Sequence, residues 1–413
     1  MKHTIRSITG REILNAKGKP TVEVELVTNT GILVTASVPS GTSTGKYEAQ
    51  ELYDGGERYH GCGTRKAAAH VSGEINRALQ GRDVTRQREL DALMCSLDGT
   101  ENKSRLGANA ILAASVALSK AGAIASGEHL YHYLAGNGAC SLPDIVATVI
   151  SGGAYSPSGL EFEDYMLLLS GFDSFSSQLE ALVSIRLLLE KMLRKQYAGF
   201  QEDGGALAAP LKSSAEAFEC MLKAAETLGY QNHVALGLDV AASELYCSDG
   251  DIYNISKGKV GRLQLVEYYQ ELCGRYPLQF IEDGFEQDDF AGFHLLKKAM
   301  PDIQIVGDDL FATNVTRLHK GIEKDCANAL LLKINQVGTV TESLDAASLA
   351  RKHGYDVVVS LRSGETNDSF IADLAVGIGA RQIKLGSPVR AERNAKYNRL
   401  LRIAEELEGN DRR

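Results

Sequence analysis

The sequence predicts an α/β protein: an α+β N-terminal capping module followed by a (β/α)8 barrel. Two observations carry this reading. Beyond about residue 230, six short apolar runs each end abruptly in polar groups, namely Asp239, Glu282, Asp308, Lys333, the Arg362-Ser363 pair and Lys384. They recur about every 25 residues after a longer first step, with helix-patterned stretches between them, which is the rhythm of a (β/α) barrel. Before residue 140 the order differs, with two runs of period-two alternation followed by helices. A doubly wound open sheet would also alternate strands and helices, but no G-x-G-x-x-G follows any of the apolar runs.

In chain order, Thr21–Leu26 (TVEVEL) and Gly31–Val38 (GILVTASV) flank the turn Thr28-Asn29-Thr30-Gly31 and read as antiparallel strands. Arg65–Leu79, Thr85–Leu97 and the Ala- and Leu-rich Gly107–Ser126 read as helices. Ser141-Leu142-Pro143 breaks the pattern, so the capping module is expected over 1–138 and the barrel over 139–413. Barrel strands are expected at Val234–Leu238, Leu278–Ile281, Ile303–Val306, Ala329–Leu332, Val357–Val359 and Gln382-Ile383. Helices are expected between them, at Gln264–Cys273, Phe290–Ala299, Val315–Lys324, Thr341–His353 and Ser369–Ile378. A barrel presents the C-terminal ends of its strands at one mouth, so the polar groups that end these runs converge.

Composition narrows the function. The 413 residues are 44% hydrophobic and 23% charged, an ordinary globular balance. Asp+Glu 53 against Lys+Arg 44 gives a net charge of −9, which argues against a nucleic-acid surface. An acidic chain that binds an anion needs a metal or a local cationic pocket. The 7 cysteines contain no C-x-x-C pair and read as free thiols of a reducing cytosol. The N-terminal MKHTIRSITGREIL lacks a signal-peptide core, and the apolar stretch Ala108–Leu118 is short for a membrane span. A cytoplasmic protein with no membrane partner is expected.

The strand-end residues define a chemistry. Asp239, Glu282 and Asp308 would repel one another in a barrel mouth, and a hard divalent cation such as Mg²⁺ resolves that repulsion. Any one of them could instead cap a helix, but three in succession favour the metal. Lys333 emerges from ALLLK into this site, where desolvation and positive charge would lower its proton affinity and make it a base; a plain ion pair with a carboxylate is the equal alternative. Lys384 has the same strand-end placement. Arg362-Ser363-Gly364 offers a guanidinium fork, a hydroxyl and backbone donors for phosphate, unless Arg362 merely pairs with Glu365 at the surface. The set suits removal of a proton α to a carboxylate, for which a Lys or His base with Mg²⁺ is the established pairing. The loop Pro39-Ser40-Gly41-Thr42-Ser43-Thr44-Gly45-Lys46 is no P-loop and could be a lid or a plain hairpin loop.

These residues lie in motifs that resemble the enolase family along nearly the whole chain: PTVEVEL, VPSGTSTG, LDGTENKSRLGANAIL, LDVAASELY, FIEDGFEQDD, IVGDDL, LLLKINQVGT, RSGETNDSFIADL, QIKLGSP and YNRLLRIAEEL. The resemblance implies an enolase-type barrel behind an α+β lid, Mg²⁺ dependence with one conformational and a second catalytic site, and a homodimer or larger oligomer. It implies that Asp239, Glu282 and Asp308 are metal ligands, with Ser43 serving a second Mg²⁺. It further implies Lys333 as the base, Lys384 as the carboxylate-binding lysine, and Arg362 and Ser363 as the phosphate clamp.

The departures from the family pattern fall on one side of the site. Tyr155 stands where the family has His, Asp164 and Asp203 stand for glutamates, and Leu361 replaces a His. Asp is one methylene shorter than Glu, and Leu361 cannot donate a hydrogen bond. Asp203 and Asp164 are the expected acid-side catalytic groups, and Tyr155 and Leu361 the altered substrate wall. A retained enolising half beside a changed wall points to a retuned lyase acting on a phosphonate-modified relative of 2-phosphoglycerate, as carboxyphosphonoenolpyruvate synthase does in phosphinothricin (bialaphos) biosynthesis. An ordinary glycolytic enolase and a non-catalytic enolase-fold binding protein are the alternatives.

Overall fold

The structure is a computed structural model that describes residues 2–41, 45–154 and 156–410. The chain opens with β1 (Ile5–Leu14), β2 (Pro20–Thr28) and β3 (Leu33–Ser37), an antiparallel sheet in the order β1-β2-β3. In β2, Val22, Val24 and Leu26 alternate into the core, as its pattern predicts. β1 carries no strand signature in the sequence. Only Ile5 and Ile8 of this edge strand are buried, and its register with β2 shifts between Ile5 and Ser7, so it shows no sustained alternation. Helical turns cover Arg65–Leu79, and helices follow at Gln87–Asp98, Ala108–Ser126 and Leu130–Ala135.

The barrel begins with β4 (Asp144–Ser151) and β5 (Asp164–Leu169), followed by the short hairpin β6 (Gln201–Asp203) and β7 (Ala206–Ala208). Then come β8 (Val234–Asp239) and a small sheet of β9 (Tyr246–Cys247), β10 (Ile252–Ile255) and β11 (Gly258–Val260). That inserted sheet accounts for the long first step in the spacing. The remaining strands are β12 (Leu278–Glu282), β13 (Gln304–Gly307), β14 (Ala329–Leu332), β15 (Asp356–Ser360) and β16 (Gln382–Lys384). β4, β5, β8 and β12 through β16 close into a barrel by the pairing of β16 with β4. All neighbours are parallel except β5, which runs antiparallel to both β4 and β8. Met166, Leu168, Phe280, Val306, Leu331 and Val358 are among the side chains that fill the interior.

The helix Ala108–Ser126 is longer than the stretch judged too short for a membrane span. It has the length and apolarity to cross a bilayer, but 83% of it is buried inside the fold. It lies under β2 and β3 and also meets the barrel helix Val340–Lys352, so its apolar surface joins module to barrel. Val340 N donates to Ser115 Oγ at 3.0 Å, and Thr341 Oγ1 to Asp91 at 2.6 Å. Ile111 is wholly buried in this helix. Ile111→Ala is expected to cost about 2–5 kcal/mol, read as an earlier midpoint in urea unfolding with the far-ultraviolet spectrum of the folded protein unchanged.

Candidate active site

The barrel brings most of the expected groups to one mouth. Asp239 ends β8 and Glu282 ends β12, in direct register across the parallel pair. Asp308 follows β13, Lys333 follows β14, Arg362 lies just past β15, and Lys384 ends β16. Asp164 reaches the mouth by a different route. Because β5 is reversed, its first residue stands where its neighbours end, and Asp164 pairs across with Asp239. Asp203 arrives on the hairpin that β7 attaches to β4. Thr148, Glu163, Asp164, Asp203, Asp239, Lys333, Leu361, Arg362, Ser363 and Lys384 all line one cavity of about 140 Å³. Ser43 and Tyr155 lie outside the described residues.

Cations and carboxylates interlock there. Lys384 Nζ donates to Asp239 Oδ2 at 2.8 Å and to Glu282 Oε2 at 2.7 Å, and stands 3.5 Å from Asp164 Oδ2. Thr148 Oγ1 donates to the same Asp164 oxygen at 2.9 Å. Lys333 Nζ pairs with Asp308 Oδ2, while Gln336 Nε2 donates to Asp308 Oδ1 at 2.7 Å. Thr313 Oγ1 donates to Gln336 Oε1 at 2.8 Å and so fixes which end of that amide faces Asp308. Arg362 is not a surface partner of Glu365. Its side chain is buried, and its fork donates to Glu48 Oε2 at 2.8 Å, Glu48 Oε1 at 3.1 Å and Asn335 Oδ1 at 3.0 Å. Glu365 instead accepts the Arg362 backbone N–H and the Lys396 ammonium.

The charge balance corrects one expectation. Burial is the largest single influence on Lys333 and lowers its proton affinity, but the neighbouring carboxylates, Asp308 first and then Glu282, more than offset it and the affinity is raised. Asp308 itself is held below the usual carboxylate range, since Lys333 overcomes the effect of burial. Lys384 is raised against burial by Asp239 and Glu282. Glu282 is pushed well up by burial and by Asp239, and Asp164 is raised chiefly by burial. Glu163 is pushed up to about 8 by burial, then by Asp239 and Asp164.

The donor set fits a divalent cation. Glu282 Oε1 is buried with no hydrogen-bond partner among the described residues, although Asp239 and Asp308 flank Glu282 on the neighbouring strands. Among the described residues the carboxylates whose oxygens all lie within 4.8 Å of one another are Asp283, Asp308 and Asp309, not the expected three. Asp283 serves another purpose: its two oxygens accept the backbone N–H groups of Asp308 and Asp309 at 2.9 and 2.8 Å. It therefore aims the Asp308 loop and holds Asp308 at the mouth that Asp239 and Glu282 also reach. Asp283 and Gln336 sit inside the runs IED and KINQ, beside residues the sequence analysis singled out. Glu48 gave no such signal, because its partner Arg362 is 314 positions away.

Comparison with known proteins follows this geometry. Residues 139–412 match the family described as enolase, C-terminal TIM barrel domain, and residues 5–134 match enolase, N-terminal domain. The chain is similar to the protein named Enolase of Pyrococcus furiosus, at 48% identity over 98% of this chain and 96% of the relative. It is 47% identical to the Enolase of Methanopyrus kandleri, over 98% and 96%, and 47% to that of Rubrobacter xylanophilus, over 98% and 95%. Fold and site thus define a lyase of the enolase superfamily, of the hydro-lyase type. Within it, the chain belongs to the enolase family.

Two outcomes test the site. Gln336→Leu removes the donor that orients Asp308 and is expected to weaken Mg²⁺ binding about 10–100-fold, measured by calorimetry, with little change in melting temperature. The second concerns Glu163, whose carboxyl keeps its proton to about pH 8 when folded, against an ordinary value of 4.5. Between those values the folded state binds more protons than the unfolded one, so this group's contribution to stability falls as pH rises. Glu163→Gln cannot ionise. In EDTA its melting temperature is expected to match wild type near pH 4.5 and exceed it increasingly towards pH 8.5; a constant difference across that range refutes the assignment.

Proposed function

We propose that this chain dehydrates 2-phosphoglycerate to phosphoenolpyruvate, the ordinary enolase reaction. The observation that carries the proposal is the convergence of Asp239, Glu282 and Asp308 with Lys333 and Lys384 in one buried mouth. Near-half identity along the whole length to proteins named Enolase favours this reaction over the phosphonate-specific one, for which neither the geometry nor the relatives add support.

Asp239, Glu282 and Asp308 would hold Mg²⁺, whose positive charge would favour loss of a proton next to a carboxylate and offset the Asp308 charge that raises the proton affinity of Lys333. Lys333 then takes the proton from the carbon next to the carboxylate. Lys384 holds a carboxylate oxygen, and Arg362 with Ser363 holds the phosphate, a task for which a buried guanidinium fork is suited. Asp164 and Asp203 furnish the carboxyl groups on the remaining wall, where the leaving hydroxyl takes a proton and departs as water while the C=C bond forms. The proposal extends to a second Mg²⁺ reached by Ser43, to a homodimer or larger homo-oligomer, and to the cytoplasm. The cysteines, which stand as free thiols, are in keeping with that location. We also take the division between module and barrel at 138/139, which agrees with the limits of the two family matches.

Purified protein should turn over 2-phosphoglycerate with Mg²⁺ and stop in EDTA. Lys333→Ala should lower kcat by about 10²–10⁴-fold with the fold intact. Wild-type protein inert on 2-phosphoglycerate but active on a carboxyphosphono analogue would replace this reading with the specialised one. Inertness towards both would favour a binding protein.

A further inference from the structure

We infer that Arg393 is an additional anion-contacting residue of this cavity, donating to a phosphate or carboxylate oxygen of the substrate from the wall that carries Asp203. The inference rests on the proposed reaction for the identity of that substrate. Arg393 belongs to the C-terminal helix Ala391–Asn410, far in sequence from the phosphate clamp, yet its side chain lines the same cavity.

The backbone is shaped around it. A Cβ at Gly386 would lie 1.8 Å from Arg393 Nη1, and one at Gly204 would lie 2.6 Å from Nη2. Both glycines have positive φ, 66° and 54°, so two loops are bare where the guanidinium passes between them. A structural arginine in this fold is well partnered: Arg186 pairs with Glu190 and Glu202 and donates to the Gly205 carbonyl, and Arg399 pairs with Asp373 and Glu406. Arg393 has one neutral acceptor among the described residues, the Leu385 carbonyl at 3.3 Å from Nη1, and its Nε is buried without a partner. A half-buried guanidinium with no carboxylate within ion-pair distance among the described residues, opening into a cavity that must admit an anion, is completed by that anion. It also offsets the negative charge of Asp164 and Asp203, which would otherwise repel the substrate from this side.

The test uses the full-length protein with Mg²⁺ present. Inorganic phosphate and glycolate serve as separate calorimetric probes for a phosphoryl and a carboxylate contact, alongside steady-state kinetics on 2-phosphoglycerate. Arg393→Gln should weaken one probe about 10-fold and raise KM by a similar factor, with kcat within about threefold. Loss on phosphate alone assigns the contact to the phosphoryl group, and loss on glycolate alone to the carboxylate. Arg393→Lys should recover part of the affinity, because it keeps the charge but not the fork. Unchanged binding of both probes in Arg393→Gln overturns the inference, as does equal loss in the two variants accompanied by a lowered melting temperature. Should Arg393→Gln fail to fold, wild-type affinity in Arg393→Lys overturns it. Probe binding needs no turnover, so an Arg393-dependent phosphate site in a protein inert on 2-phosphoglycerate would sink the proposed reaction and leave this contact standing.

Discussion

Burial of like charges at the barrel mouth is the constraint on which the site depends. Asp239, Glu282 and Asp308 are each less than a tenth exposed and stand on adjacent strands, a placement that carboxylates tolerate only with compensation. Lys384 bridges Asp239 and Glu282, and Lys333 pairs with Asp308. Lys384 is itself buried and Lys333 half-buried, so neither set is tolerated without the other. A divalent cation on the carboxylates would change the balance for both lysines at once, which ties metal binding to the protonation of the expected base. This coupling makes Lys333 conditional: its position alone does not make it a base, because its own counter-ion opposes that role.

The N-terminal module contributes to the same mouth. Glu48 reaches across to the Arg362 fork, and Gly45 N donates to the same Glu48 carboxylate at 3.0 Å. Ser40 and Gly364 exchange two backbone hydrogen bonds of 3.0 Å each, and Ala16 N donates to the Glu365 carbonyl. Lys396 grips Glu365 from the C-terminal helix. The segment holding Arg362 and Ser363 is therefore fixed from three sides by parts of the chain remote from one another. An anion-binding segment built this way would lose little on ordering, since its groups are held before a ligand arrives.

The barrel was legible where strands obey one rule, an apolar run ending in a polar group. Val234–Asp239 and Ala329–Leu332 fall as expected. β5 escaped because it is reversed: Asp164 opens the strand instead of closing it, so no terminal polar residue marked it. The strand-end polar residues were readable one at a time because each lies in a local motif. Partnerships were not: Arg362 with Glu48 and Lys384 with Asp239 join residues hundreds or scores of positions apart, and only the closed fold sets such distances. Even the direction of the Lys333 shift depended on such a distance, that to Asp308.

The departures from the family pattern now carry less weight towards a specialised substrate. The shorter side chain of Asp164 is placed by the reversed strand opposite Asp239, takes a hydrogen bond from Thr148 and stands 3.5 Å from Lys384. Its lost methylene has not removed it from the charge network. Leu361 does remove a donor, and its side chain lines the cavity without replacing that function. Yet the same cavity holds Glu163, whose carboxyl retains its proton to about pH 8 through burial and the nearness of Asp239 and Asp164. A protonated carboxyl donates a hydrogen bond. The wall that lacks a donor at Leu361 therefore carries at Glu163 a carboxyl pushed towards its protonated, donating form, first by its own burial and then by Asp239 and Asp164.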